Sequence, residues 1–152
     1  MTSPQLTYLA RIEVRVAPPV DLGVVAGLHR RLVPIIGGTI SGPALNGTVL
    51  AAGADFQVLH EDATQELEAR YGVELEDGER LYIENHAIRT GHASDMARLA
   101  RGETVDPALI YFRSSPRITA PRGAFEWLNS RVFVATGERR PDLVCLEIFV
   151  VE

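Results

Sequence analysis

Alternating apolar and polar side chains are the main pattern in this sequence, and they predict β-strands. The clearest stretch covers residues 6–16, where every second side chain from Leu6 to Val16 is apolar and most of the intervening ones are polar. Further strands are predicted at residues 28–36, 47–60, 80–89, 108–113, 125–136 and 143–151. Turn residues separate these stretches, at Pro18-Pro19, Asn46-Gly47, Asp77-Gly78 and Asp106-Pro107. The pattern therefore indicates an all-β protein.

Two segments carry helical signals. Residues 62–72 have the composition of a capped helix that ends at Gly72, but they also fit a strand. A hairpin turn at Asp77-Gly78 needs a strand before it, which favours a strand for at least residues 70–75. Ser94 is a good helix N-cap and Gly102 a good helix stop, so residues 95–101 are predicted to form one short helix.

These elements fit a single domain that spans residues 1–152. We predict a single antiparallel β-barrel of about eight or nine strands with one short helix, because a long antiparallel sheet closes or folds over to protect its edges. A closed barrel of roughly eight strands is wide enough to hold one small ligand.

The glycine-rich stretch at residues 37–57 surrounds a lone acid, Asp55, with small and apolar residues. Glycine lets the backbone bend and approach other chains closely, so this stretch predicts a sharply curved sheet segment with one carboxylate inside an apolar wall. A carboxylate in such a place can serve as a general acid or base near neutral pH. The alternative is a buried structural aspartate that pairs with an arginine, for instance Arg70 or Arg113.

Composition narrows the chemistry. The chain is 46% hydrophobic and 23% charged with a net charge of −5, and no basic block suggests nucleic acid as a partner. All 15 basic residues are arginine, which excludes Schiff-base chemistry and a phosphate-loop lysine. No apolar run is long enough for a membrane helix and no secretion signal is visible, so we expect a cytoplasmic protein without a membrane partner. The one cysteine, Cys145, lies in an apolar strand and is expected to be an inert buried thiol.

The predicted strand at 80–89 has polar side chains on both faces, and only one face can point into a barrel. Asn85 and Arg89 share a face with the apolar Leu81, which favours them as site residues. Glu84 and His86 share the opposite face, and a solvated face is the simpler interpretation of that pair. Their spacing also suits metal ligation, but no third suitably spaced His or Cys is present, so no metal is predicted.

Aromatic residues close to polar ones supply further candidates. Trp127 and Asn129 alternate on the predicted strand at 125–136, where they could form an aromatic wall with one amide to orient a ligand carbonyl. Core packing explains the same pattern equally well. Tyr111 lies beside the candidate Arg113, and Tyr71 is a candidate hydrogen-bond donor.

Five sequence blocks occur in order from about residue 33 to the C-terminus: GGTISGPALNGTVLAAGADFQ, EARY, LYIENHAIRTG, VDPALIYFRSSP and EWLNSRVFVATGERRPDLV. Together they resemble the family of small proteins known as domain of unknown function 3237, or UPF0311. The resemblance implies a barrel similar to allene oxide cyclases and dirigent proteins, with relatives that close oxygen rings by acid–base chemistry without a cofactor. Phe56 and Ala87 depart from the family pattern of tryptophan and glycine, and both changes bear on cavity shape. The polar positions that match the family are Asp55, Arg70, Asn85, Arg89, Arg113, Trp127 and Asn129.

We therefore expect a cofactor-independent enzyme of the isomerase, cyclase or lyase type that acts on a small, largely apolar, oxygenated or aromatic metabolite. The expected catalytic residues are Asp55, Arg89 and Arg113. The expected substrate-binding residues are Arg70, Tyr71, Asn85, Tyr111, Trp127 and Asn129. Two alternatives remain open, a barrel that binds a small ligand without chemistry and a hydrolase of a lactone or similar ester. Exposed barrel strands also allow pairing into a symmetric homo-oligomer.

Overall fold

The computed structural model describes residues 1–152 and shows a closed antiparallel β-barrel with one α-helix. The ten strands are β1 (Leu6–Val16), β2 (Val20–Val25), β3 (Leu28–Ser41), β4 (Gly47–Val49), β5 (Ala54–Leu59), β6 (Gln65–Leu75), β7 (Arg80–Gly91), β8 (Ile110–Thr119), β9 (Val132–Arg139) and β10 (Leu143–Val151). The helix is α1 (Ala93–Ala100), and two short 3₁₀ helices lie at Pro107–Leu109 and Glu126–Ser130.

Eight strand positions close the barrel. Around the ring, β1 is followed by β10, β9, β8, β7, β6, a shared position and β3, which pairs back with β1. Strands β4 and β5 occupy the shared position one after the other, because each pairs with β3 on one side and β6 on the other. Strand β2 lies outside the ring and pairs only with β3. The predicted single antiparallel barrel is therefore confirmed.

The seam between β8 and β9 is short. Only two residue pairs join these strands, Arg113 with Thr136 and Ser114 with Ala135. By contrast, β6 and β7 pair continuously from Gln65 to Glu74. The 3₁₀ helix at Glu126–Ser130 precedes β9 and buries its Leu128 in the core.

The barrel interior has a packed half and a polar half. Side chains such as Ile83, Phe133 and Ile148 fill the packed half and are at most 1% exposed. The polar half lies toward the ends of β7 and β9, where Arg89 and Arg139 stand on inward-facing positions. Strand alternation therefore builds a hydrophobic base beneath a set of charged side chains.

The glycine-rich segment bends as predicted. Gly38 has φ +141°, and a Cβ there would overlap the carbonyl oxygen of Glu13. Only glycine therefore lets β3 approach its pairing partner β1 this closely. The predicted strand at 47–60 is divided by a break at residues 50–53, in which Gly53 has φ +95°. Strand β5 starts immediately after the break, which places Asp55 at the barrel wall.

Three other sequence predictions have clear outcomes. Residues 65–75 form strand β6, because strand alternation buries Leu67, Tyr71 and Val73 on one face, whereas a helix would turn Val73 away from the other two. The predicted helix is present as α1, but His92 rather than Ser94 is its N-cap. The predicted strand at 125–136 is wrong over its first part, because Asn129 bonds both backbone groups of Ala120 and holds a 3₁₀ turn there.

Helix α1 covers the polar end of the barrel. Met96 and Leu99 are buried against Val105 in a small second cluster, separate from the main core. No helix in the structure combines the length and the apolar character needed to cross a membrane.

Candidate functional site

A cavity of about 40 Å³ lies in the polar half of the barrel. Hydrophobic side chains supply 11 of its 16 lining residues, and the lining comes from β1, β3 and every strand from β5 to β10. The charged and amide members of the lining are Asp55, Gln57, Asn85, Arg89 and Arg139. At roughly 10–15 Å³ for each water in this measure, the cavity holds a few water molecules. A larger ligand requires lining side chains to move.

Phe112 and Arg139 stand at one boundary of the cavity. Both also line a smaller crevice beside Leu99 of α1, so these two side chains separate the cavity from that crevice. Gly137 makes room for this arrangement, because a Cβ there would lie 2.7 Å from the ring of Phe112.

Asp55 is held by a chain of hydrogen bonds that begins at Arg31. The Nε and Nη2 atoms of Arg31 donate to Gln57 Oε1 at 3.0 and 2.8 Å. Because Oε1 is engaged in this way, Gln57 Nε2 points at the carboxylate and donates to Asp55 Oδ2 at 2.8 Å. The chain fixes one carboxylate oxygen and leaves the other oxygen, Oδ1, buried without a partner.

Arg89 is held in a similar way. It is only 2% exposed, its Nε donates to Gln65 Oε1 at 2.8 Å, and its guanidinium carbon lies 5.3 Å from the centre of the Phe112 ring. A cation over an aromatic face is favourable, more so when water is excluded. Each of the two buried arginines, Arg31 and Arg89, is therefore positioned by a glutamine rather than by an acid.

Burial shifts the pKa of every ionisable group in this cluster. It raises the pKa of Asp55, against the opposing effects of the Gln57 hydrogen bond and of nearby arginines. Burial also raises the pKa of Tyr71, and the charge of Asp55 adds to the effect. In the other direction, burial lowers the pKa of Arg31, Arg89 and Arg139, although a guanidinium keeps its charge near neutral pH.

Four buried polar atoms around the cavity have no hydrogen-bond partner: Asp55 Oδ1, Tyr71 Oη, Asn85 Oδ1 and Arg139 Nη1. Buried polar atoms without partners are rare in folded proteins and each is costly. Together they form a set of donors and acceptors that suits a small polar ligand.

The structure brings together four of the residues chosen from the sequence. Asp55, Tyr71, Asn85 and Arg89 all line the cavity. The choice between the two faces of β7 is also settled, because Asn85 and Arg89 are buried whereas Glu84 and His86 are exposed.

Five other candidates lie away from the cavity. Arg70 is exposed and pairs with Glu68, and the strand parity that buries Tyr71 turns Arg70 outward. The same parity on β8 turns both Tyr111 and Arg113 outward, where they stack on each other at 5.4 Å. Trp127 and Asn129 lie on the 3₁₀ helix at Glu126–Ser130. They were expected to share one face of a strand, and no strand forms there.

The sequence reasoning missed four polar residues: Gln57 and Arg139, which line the cavity, and Arg31 and Gln65, which hydrogen-bond to lining residues from behind. Gln57 could have been found, since it stands two residues after Asp55 on the same strand face. Arg139 lies between the predicted strands at 125–136 and 143–151, but β9 continues as far as Arg139 and carries that side chain to the cavity.

A metal centre and a surface groove are the alternatives to the cavity. No group of three or more His, Cys, Asp and Glu side chains comes together to hold a metal ion. A wide groove of about 1150 Å³ lies between the β2–β3 hairpin, the turn before β6 and α1. Its polar pairs, such as His60 with Glu66, are in contact with solvent, so the cavity inside the barrel is the better candidate site.

The geometry defines a class: a small closed antiparallel barrel with a buried polar site in one half of its interior. More particularly, the chain belongs to the family described as "Protein of unknown function (DUF3237)", whose profile matches residues 4–151. This confirms the family resemblance drawn from the five sequence blocks.

Relatives from several bacteria are similar along the whole chain. The UPF0311 protein RPA1785 of Rhodopseudomonas palustris is 38% identical over 93% of this chain and 92% of its own. Its crystal structure superposes with a TM-score of 0.93, covering 100% of this chain and 99% of the other. A structure from Clostridium acetobutylicum gives a TM-score of 0.91 at 33% identity, covering 100% and 99% of the chains. A β-barrel-like protein from Acinetobacter baumannii gives 0.87 at 31% identity over 100% and 98%. At 19% identity, an enzyme from Penicillium herquei shares the fold, with a TM-score of 0.74 over 100% and 97%.

Proposed function

We propose that this protein is a cofactor-independent enzyme of the isomerase, cyclase or lyase type, in which Asp55 moves a proton on a small oxygenated metabolite held in the barrel cavity. One observation carries the proposal: Asp55 has a buried, unpartnered Oδ1 in a largely apolar cavity that also contains arginine side chains. Groups with strongly perturbed pKa in a cleft are candidates for catalysis.

The carboxylate is prepared for proton transfer. Gln57 fixes Oδ2, so the lone pairs of Oδ1 face the cavity in one orientation. Because burial raises the pKa of Asp55, its carboxylate is basic enough to take a proton from the substrate, and the resulting carboxylic acid is acidic enough to return it. Asp55 can therefore take a proton from one atom of a bound substrate and return it to another.

Removal of a proton next to a carbonyl places negative charge on the carbonyl oxygen, and the cavity has donors for it. Arg89 is held rigidly by Gln65 and Phe112, and Arg139 Nη1 is free to donate. Fixed donors aimed at developing charge in a water-poor site are an effective form of catalysis. Tyr71 Oη, kept neutral by its raised pKa, is a third donor. Arg113, one of the catalytic residues expected from sequence, has no place in this scheme because it faces outward.

A second candidate function is a barrel that binds a small ligand without chemistry. The unpartnered polar atoms of the cavity support it, because they can bind a ligand whether or not Asp55 transfers a proton. The enzyme from Penicillium herquei supports the fold alone at its level of identity, so it does not decide between the two candidates.

An exchange experiment separates the two candidates without knowledge of the substrate. Acetone, cyclohexanone and 2-oxobutanoate would be incubated with the protein in D₂O, and loss of their α-proton signals followed by NMR. We expect exchange faster than in buffer, and a fall of about 100-fold or more in Asp55→Asn, the range of a lost general base.

Glu84→Gln is the matched control, since it removes a carboxylate from the exposed face of β7. Exchange at the wild-type rate in Asp55→Asn would refute the assignment of the base. Binding of the ketones without any exchange in the wild-type protein would favour the non-catalytic candidate.

A further inference from the structure

The cavity cluster has an imbalance of charge. The charge of a single carboxylate in the cavity, that of Asp55, acts on three guanidinium groups, those of Arg31, Arg89 and Arg139. Two carboxylates outside the cavity lining also contribute, Asp21 to Arg31 and Asp142 to Arg139. None of the three arginines forms an ion pair within 4.0 Å, although ten other ion pairs occur on the protein.

The partners that the arginines do have are neutral. Gln57 accepts both hydrogen bonds of Arg31, and Gln65 accepts the bond of Arg89. An amide oxygen fixes the direction of a guanidinium but does not cancel its charge. A buried charge without a counter-charge is strongly unfavourable, so the folded chain keeps a positive field that a glutamate at either position would remove.

We propose that the cavity binds a small organic acid, with the carboxylate of the ligand near Arg139 Nη1 and Arg89. This acid would occupy the site of the proposed function. The inference rests on that function only in taking the acid to be the substrate. A carboxylate supplies the missing negative charge, and it accepts from Arg139 Nη1, the one guanidinium atom that is buried without a partner.

The rest of the lining defines the remainder of the ligand. Hydrophobic residues make up 11 of the 16 lining positions, which suits a carbon skeleton and disfavours a fully hydrated inorganic anion. Tyr71 Oη and Asp55 Oδ1 offer a donor and an acceptor for one further oxygen. A short oxo acid or hydroxy acid satisfies both ends of the site.

Matched pairs of probes test the charge requirement. Acetate, butanoate and benzoate would each be compared with acetamide, butanamide and benzamide by calorimetry and by the shift in Tm, with phosphate as an inorganic anion. We expect at least one acid to bind about tenfold or more tightly than its amide, and phosphate to bind weakly.

The decisive variant is Gln65→Glu, which places an isosteric carboxylate on Arg89. We expect a higher Tm without ligand, because the buried cation gains a partner, and acid binding weakened by about tenfold or more. Gln5→Glu adds the same charge at an exposed position and should change neither property. Arg139→Gln should lose the preference for acids, whereas Arg140→Gln, next in sequence but exposed and paired with Glu138, should keep it.

Equal binding of acids and amides, acid binding unchanged in Gln65→Glu, or no binding of any of the six probes would overturn the inference. Its failure is distinct from failure of the proposed function. Asp55→Asn removes the one negative charge of the cluster, so acids should bind this variant more tightly even though proton exchange is lost. Acid selectivity with exchange unchanged in Asp55→Asn would instead leave the inference standing and refute the assigned base.

Discussion

Replacement of Gln57 by methionine tests whether the hydrogen-bond chain holds the cavity cluster together. Methionine has a similar length and shape but offers no good donor or acceptor. The change removes two hydrogen bonds from Arg31 and one to Asp55, all of them to charged groups in a buried setting.

The magnitude follows from those contacts. A hydrogen bond to a charged group contributes about 1.5–3 kcal/mol, and the two bonds from Arg31 share one acceptor, so their contributions do not add fully. We expect Gln57→Met to lower the free energy of unfolding by about 3–5 kcal/mol. A domain of this kind has a total stability of about 5–15 kcal/mol, so the variant should still fold.

Urea unfolding followed by the fluorescence of Trp127, the one tryptophan, provides the measurement. Gln5→Met, a change at an exposed position, should stay within about 0.5 kcal/mol of the wild type. A loss below about 1 kcal/mol in Gln57→Met would refute the reasoning, since Arg31 and Asp55 would then have found other partners at little cost.

Two further predictions concern the pH dependence of stability and the close approach of β3 to β1. The pKa of Asp55 is raised above its ordinary 3.8 in the folded state. Between the unfolded and the folded pKa, the folded protein therefore keeps a proton that the unfolded chain has lost. As pH rises through this range, Asp55 makes the free energy of unfolding fall. The arginines that face Asp55 stay charged throughout. The free energy of unfolding of the wild type minus that of Asp55→Asn, measured in urea between about pH 4 and pH 8, should therefore fall with rising pH. A constant difference would contradict the assignment. Gly38→Ala should cost about 3–5 kcal/mol, because it combines a positive φ with overlap against the Glu13 carbonyl. Gly78→Ala, with a positive φ but open space, should cost about 1 kcal/mol, and an equal loss in the two variants would show that backbone overlap is not the cause.

The part of the site that could be predicted from sequence depends on strand parity. Asn85 and Arg89 were placed correctly because β7 alternates without interruption and Leu81 marks its inner face. Arg70 and Arg113 were chosen by residue type and by family resemblance, and parity turns both outward. Pairing between distant strands could not be read at all, so nothing in the sequence alone joined Arg31 to Gln57 or Gln65 to Arg89.

The fold was predictable to the level of a closed barrel, and its errors are local. The segment before β9 has the apolar alternation of a strand, but the side chain of Asn129 competes with strand pairing by bonding the backbone of Ala120. The break between β4 and β5 has a similar cause, because Gly53 adopts a left-handed conformation within a run that is otherwise typical of a strand.

The short seam between β8 and β9 has a consequence for how the barrel opens. Every other junction in the ring is a longer ladder or is reinforced by a neighbouring strand, whereas two residue pairs hold this one. Separation of β8 from β9 therefore breaks few hydrogen bonds, and it begins beside Phe112 and Arg139, the boundary of the cavity. The barrel wall can therefore open along this one strand junction. A ligand too large for the closed lumen can enter there while the other strand pairings stay intact.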